Sequence, residues 1–172
     1  DFPITARNQA VCFSIKGKGY LGTGGDDSFN YTDFWEYDPT TNLWTQKTNF
    51  SGYGRAAAVG FSINSKGYIG TGYVVSLGAR KDFWEYDPAT NLWTQKVDFG
   101  GTARYGAVGF SINGKAYIGT GSAKDFWEYT PTPDISTPTI TSFTPDNGYT
   151  GSSVTITGTG FTGTTAVTLG GT

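Results

Sequence analysis

Apolar and polar positions alternate strictly over short stretches of this chain, and the same alternation recurs three times. Val11, Phe13 and Ile15 are interleaved with Ala10, Cys12 and Ser14. Val59, Phe61 and Ile63 are interleaved with Ala58, Gly60 and Ser62, and Val108, Phe110 and Ile112 with Ala107, Gly109 and Ser111. A period of two predicts β-strands whose successive side chains face opposite ways. Large residues on one face and small ones on the other predict sheets covered on both sides, the bulky face of one seated on the flat face of the next. Cys12 stands where the other units have Gly60 and Gly109, so it is expected to be a small buried residue. A reactive thiol would need an exposed, electropositive setting.

Each opening strand leads through a turn, Asn64-Ser65-Lys66-Gly67 or Asn113-Gly114-Lys115, to a second predicted strand such as Tyr68-Ile69-Gly70-Thr71-Gly72. Asn-Gly favours a hairpin because both residues tolerate positive φ. A third strand, Phe83-Trp84-Glu85-Tyr86, is followed by Asp87-Pro88-Ala89-Thr90-Asn91, where proline pre-sets φ and Asp and Asn can bond local amides. Leu92 to Lys96 forms the fourth strand. The markers recur: Gly-Thr-Gly at 22–24, 70–72 and 119–121, and Asp-Phe-Trp-Glu-Tyr from Asp33, Asp82 and Asp125. One arginine opens each unit, Arg7, Arg55 and Arg104, at spacings of 48 and 49 residues (55 − 7 and 104 − 55).

Four antiparallel strands in a repeat of this length predict a propeller blade. Residues 1–129 resemble the kelch repeat: a glycine pair closes strand two, and a Tyr and a Trp seven apart lie on strands three and four, here Tyr37 with Trp44 and Tyr86 with Trp93. One departure is that Thr23, Thr71 and Thr120 split the glycine pairs. Asp1-Phe2 aligns with Asn49-Phe50 and Asp98-Phe99, so the resemblance implies two complete blades and a third lacking its fourth strand. Closed propellers use about 4 to 8 blades. Residues 130–137 hold prolines 131 and 133 just ahead of Pro138, and read as a stiff linker. From residue 138 to 172, Pro138-Thr139-Ile140-Thr141-Ser142-Phe143-Thr144-Pro145, Gly151-Ser152-Ser153-Val154-Thr155-Ile156 and Ala166-Val167-Thr168-Leu169-Gly170-Gly171 resemble the opening of an IPT/TIG immunoglobulin-like domain. The expected fold class is therefore all-β: a partial kelch-type β-propeller of four-stranded antiparallel blades, then a partial Ig-like β-sandwich.

Composition narrows the function. With 26 Gly, 12 Phe, 11 Tyr, 5 Trp, no Met and 15% charged residues, the chain suits strands and tight turns. A formal charge of −2 without runs of like sign points away from nucleic acid and anionic membranes, and no apolar run is long enough to span a bilayer. Asp1 begins no signal peptide, so the chain reads as a mature or excised segment. There is no His and one Cys, which removes Ser-His-Asp and Cys-His nucleophiles, His-containing metal sites and zinc clusters. The His ligands of galactose-oxidase-like kelch enzymes likewise have no counterpart. No cofactor or metal is expected, and no enzymatic activity.

Glu36, Glu85 and Glu128, like Asp33, Asp82 and Asp125, repeat at fixed places, which favours a structural role, such as pairing with the repeated arginines, over catalysis in one blade. The same reasoning makes Arg7, Arg55, Arg104, Trp35, Trp44, Trp84, Trp93 and Trp127 structural repeat residues, although a basic ring for an anion and a sugar-stacking surface are the functional alternatives. Ligand recognition is expected where the units differ, in the loop between strands two and three. Its candidates are Asp26, Asp27, Phe29 and Tyr31 in the first unit and Tyr73, Val74, Leu77 and Arg80 in the second. Asp26 and Asp27 lack the further spaced ligands of a calcium loop.

The resemblances imply a non-catalytic binding or adhesion segment of a larger bacterial cell-surface protein, meeting a glycan or protein ligand extracellularly. The alternative is a structural subunit of a ring or filament, self-associating by strand exchange across incomplete sheet edges. A third reading, ranked last, is a fragment of a kelch-type enzyme whose catalytic groups lie in further blades.

Overall fold

The computed structural model describes residues 2–3, 5–26, 28–131, 139–145, 147, 149 and 151–159, which form strands and turns with no helix among them. The chain divides into two compact units, Asp1–Pro131 and Thr132–Thr172. The expected linker residues 132–137 lie outside the described residues, as does the predicted strand Ala166-Val167-Thr168-Leu169.

In the first unit, β1 (Val11–Ile15), β2 (Lys18–Gly22), β3 (Phe34–Asp38) and β4 (Leu43–Gln46) form an antiparallel sheet in chain order. The second repeat forms a sheet from β5 (Val59–Ile63), β6 (Lys66–Gly70), β9 (Phe83–Asp87) and β10 (Leu92–Lys96). Its strand-two to strand-three loop is not irregular, since β7 (Tyr73–Val74) and β8 (Gly78–Ala79) pair there as a small ribbon. The third repeat contributes β11 (Ala107–Ile112), β12 (Lys115–Thr120) and β13 (Phe126–Tyr129). The chain is thus all-β; among the described residues of the first unit there are two four-stranded antiparallel sheets, one of three strands and the β7–β8 ribbon.

The turns are tighter than the sequence suggested. Asn64 and Ser65 alone connect β5 to β6, at φ +49° and +65°, so β6 begins at Lys66. That mirror-image geometry matches the twist of the flanking strands. At the other end β6 stops at Gly70, because Thr71 turns into the left-handed region at φ +58°, as do Thr23 at +56° and Thr120 at +64°. Such angles are uncommon for a β-branched residue. Here they aim the threonine carbonyls at the repeat arginines.

The sheets stack as their alternation predicts. Val11, Ile15, Tyr20 and Phe34 of the first repeat pack against Ile69, Tyr86 and Trp93 of the second. Val59, Phe61, Ile63, Tyr68 and Phe83 meet Ala116 and Ile118 of the third. Glycine sets the approach: a Cβ at Gly60 would stand 2.1 Å from Val11, one at Gly67 2.2 Å from Phe13, and one at Gly109 2.4 Å from Val59. Among the described residues, only the second sheet is covered on both faces. Cys12 corrects the expectation of burial: it is exposed, because no sheet among the described residues lies on the flat face of the first repeat. For the converse reason Val108, Phe110 and Ile112 are exposed on the bulky face of the third.

In the second unit, β14 (Thr139–Thr144) and β15 (Thr155–Thr159) pair antiparallel with a register shift between Ile140 and Ser142.

Candidate functional site: the loop end of the repeat units

The repeated residues form one clamp, built three times. Arg55 is fully buried and donates from Nη1 and Nη2 to both oxygens of Asp82 at 2.9 and 2.6 Å, a fork-to-fork pair. Its Nη1 also reaches the Thr71 carbonyl and its Nε the Tyr53 carbonyl, while the guanidinium lies 4.9 Å from the Phe50 ring centroid. Trp84 Nε1 donates to Asp82 Oδ2 at 2.8 Å. Arg7 with Asp33, Thr23 and Trp35, and Arg104 with Asp125, Thr120 and Trp127, repeat the arrangement. Burial pushes the Asp82 carboxyl up, but the hydrogen bonds from Arg55 and Trp84 and the arginine charge outweigh it and hold it below its ordinary value. The clamp ties the segment before strand one to the end of strand two and the start of strand three.

The repeated glutamates have other partners. Glu36 accepts from Tyr20 at 2.6 Å and Lys18 at 2.9 Å, with Lys47 at 3.3 Å; Glu85 accepts from Tyr68 and pairs with Lys66 and Lys96. Lys18, Tyr20, Glu36, Lys47 and Lys66 line a cavity of about 460 Å³ at the opposite end of the sheets, with Lys16 and Asp87 beside them. Glu128 and Tyr117 repeat the bond in the open, since no sheet covers that face. The tryptophans divide likewise. Trp93 is buried against Tyr86 and Phe50, Trp35, Trp44 and Trp84 are half-buried, and Trp127 is exposed on the third sheet.

The loop candidates are engaged in different ways, and the Val75 amide donates to Asn30 Oδ1 from one repeat's loop to the next. Asp26 Oδ1 accepts from the amides of Ser28 and Phe29 and Oδ2 from Tyr31 Oη, and these bonds, Tyr31's foremost, lower its pKa. Asp26 therefore organises its own loop. Asp27 lies outside the described residues. Tyr31 stacks on Arg7 at 4.5 Å, and Phe29 is exposed. In the second repeat Val74 is buried, Tyr73 meets Tyr105 edge to face, and Leu77 and Val75 remain exposed at the ribbon tip. Among the described residues no three His, Cys, Asp or Glu converge on a metal-sized site.

Arg80 faces a cavity. A cleft of about 450 Å³ is lined by Tyr53, Arg80, Asp82, Trp84 and Gln95. Arg80, Asp82 and Gln95 also border a second hollow of about 320 Å³ that reaches Asp98. Tyr53 and Gln95 were missed as candidates by sequence reasoning. The signal for Tyr53 was its lack of repetition: the residue two before the clamp arginine is Thr5 in the first unit and Thr102 in the third.

Residues 138–172 match the IPT/TIG domain family. No curated protein shows significant sequence similarity to the chain.

Proposed function

We propose that the chain is a non-catalytic binding or adhesion segment of a bacterial cell-surface protein, composed of kelch-type propeller blades followed by an IPT/TIG domain. It recognises a glycan or protein ligand through its inter-strand loops. One observation carries this reading: the repeated Arg, Asp and Trp side chains are consumed in holding the sheets, as in Arg55–Asp82–Trp84, whereas the unrepeated Tyr53, Arg80 and Leu77 are left around the loop end. A scaffold repeated for stability with variable loops at one end is how many binding folds place recognition. The matching IPT/TIG segment supports the cell-surface setting. Binding of the chain to a glycan array and to a panel of surface proteins tests the reading. Retained binding by a variant with Ala at Tyr73, Leu77 and Arg80 would contradict it.

A second reading, self-association into a ring or filament, is favoured by the third sheet. There, among the described residues, β13 pairs only with β12, and Val108, Phe110, Ile112 and Phe126 are exposed on one side. An open edge beside an apolar face invites another strand or sheet. Light scattering on the purified chain decides it: a defined oligomer supports this reading and a monomer across concentrations removes it.

A further inference from the structure

We infer that the cleft beside Arg80 is a carbohydrate subsite, taking one sugar ring against Tyr53 and Trp84 with a ring or hydroxyl oxygen on Arg80. The inference rests on the loop-binding reading above and specifies its ligand class and its site. Four observations converge. The Arg80 Nε–H is screened from solvent yet meets no acceptor, and Asp82 Oδ1 stands 3.7 Å away, beyond hydrogen-bond range. Asp82 is already engaged, both its oxygens by Arg55 and one also by Trp84. The Arg80 side chain is nonetheless 32% exposed, so the guanidinium keeps donor capacity toward the cleft that an oxygen arriving from outside can take up.

The walls define which oxygen-bearing molecule fits. Tyr53 is 60% exposed and Trp84 half-buried, which gives the cleft apolar area suited to the C–H face of a pyranose. The Gln95 amide offers a donor and an acceptor, and Asp98, at the mouth of the adjoining hollow, offers acceptors for hydroxyl protons. A free inorganic anion suits the site poorly, since the carboxylates of Asp82 and Asp98 border the same space and repel it. A small apolar ligand leaves Arg80 unsatisfied. Alternating donors and acceptors beside aromatic carbon are what a polyol ring complements.

The site also occurs once. At the position of Arg80 the first repeat has Tyr31 and the third Ala123, and at the position of Tyr53 they have Thr5 and Thr102. The Trp84, Asp82 and Gln95 walls belong to the repeated frame. Two unrepeated residues turn that frame into a cleft with its own chemistry.

The test is titration of the full chain with glucose, galactose, mannose and N-acetylglucosamine, followed by the NMR signals of the Trp84 indole and the Arg80 Nε–H. The concentration range is about 1–50 mM, where single-sugar contacts saturate. The expected result is that at least one sugar shifts both signals, and that Arg80→Ala and, separately, Tyr53→Ala each weaken binding at least tenfold. Leu43→Ala, at an exposed position of β4 that belongs to no loop candidate, should leave that binding unchanged. The melting temperature of each variant reports folding. No shift with any of the four sugars, or full binding by folded Arg80→Ala and Tyr53→Ala chains, would overturn the assignment. If a polysaccharide or protein binds the chain and the Arg80 variant binds it equally well, the loop-binding reading stands and only this subsite fails. If nothing binds at all, both fail.

Discussion

Replacing Arg55 by alanine tests what holds the repeat together. Arg55 is fully buried, and the Asp82 side chain is 11% exposed. The substitution removes two bonds to the carboxylate and the bonds to the Thr71 and Tyr53 carbonyls. It leaves a nearly buried carboxylate with Trp84 as its hydrogen-bond donor and the Arg80 charge 3.7 Å away. Breaking such a pair from one side costs about 3–5 kcal/mol, much of it the penalty of the stranded charge. Arg55→Lys keeps the charge but not the fork, and each lost hydrogen bond to a charged group contributes about 1.5–3 kcal/mol. In the third repeat Asp125 is 38% exposed, so Arg104→Ala strands a carboxylate that water can reach and should cost clearly less. The assay is urea unfolding followed by tryptophan fluorescence, for the wild type and the three variants. The predicted order of loss is Arg55→Ala first, then Arg55→Lys and Arg104→Ala. A cost below about 1 kcal/mol for Arg55→Ala, or equal costs at Arg55 and Arg104, would refute the clamp as the main tie between the loops and the sheet.

Further predictions follow from the same geometry. Because the Asp82 pKa is depressed in the folded chain, its contribution is present above the ordinary carboxylate value, near 4, and is lost as pH falls through the lower folded value. Acid titration of stability should therefore show a loss below about pH 4 that flattens in Arg55→Ala. Tyr86 and Tyr129 are each pushed up to about 12, chiefly by burial, with added repulsion from Glu36 and Asp87 at Tyr86 and from Glu85 at Tyr129. Their contribution is intact below the ordinary tyrosine value, near 10, and disappears as pH rises toward 12, so tyrosinate absorbance should rise in a delayed phase together with unfolding. Gly60→Ala forces a Cβ to 2.1 Å from Val11 and should cost about 1–3 kcal/mol, whereas Cys12→Ala at the matching exposed position should stay within about 0.5 kcal/mol; chemical denaturation distinguishes the two. Trp93→Ala, deep between the first two sheets, should cost about 3–5 kcal/mol, and Trp127→Ala far less, because 37% of Trp127 is already in water.

Much of this was legible because the repeat states each requirement three times. The alternation from Val59 to Ile63 and the glycines opposite it gave both the strand and the stacking, and the co-repetition of Arg55 and Asp82 suggested their pairing. What a single repeat unit cannot carry is its neighbourhood. Cys12 and Val108 have the same local pattern as their counterparts, yet they are exposed because burial comes from the adjacent sheet. Trp127 differs because, among the described residues, it has no fourth-strand neighbour like the Gln95 that pairs with Trp84. The left-handed threonines were hidden for another reason: Thr71 reads as a strand residue by propensity, while its turn goes with long-range bonds, its carbonyl to Arg55 and its amide to the Asp82 carbonyl. At the candidate site, Arg80 could be named from its lack of repetition. Tyr53 and Gln95 join it only through the fold, since residues 42 positions apart (95 − 53) line one cleft.

The central claim is that repeated residues build the scaffold while unrepeated loop residues do the recognising. It is tested most directly by measuring ligand affinity and unfolding free energy in parallel on two variants, Trp93→Ala and a loop variant with Ala at Tyr73, Leu77 and Arg80. The account predicts that Trp93→Ala loses stability but, in the fraction still folded, keeps its affinity for whichever glycan or protein the chain binds. The loop variant should lose the affinity and keep the fold. A loop variant that binds as tightly as the wild type, or a folded Trp93→Ala chain that has lost its ligand, would contradict that division.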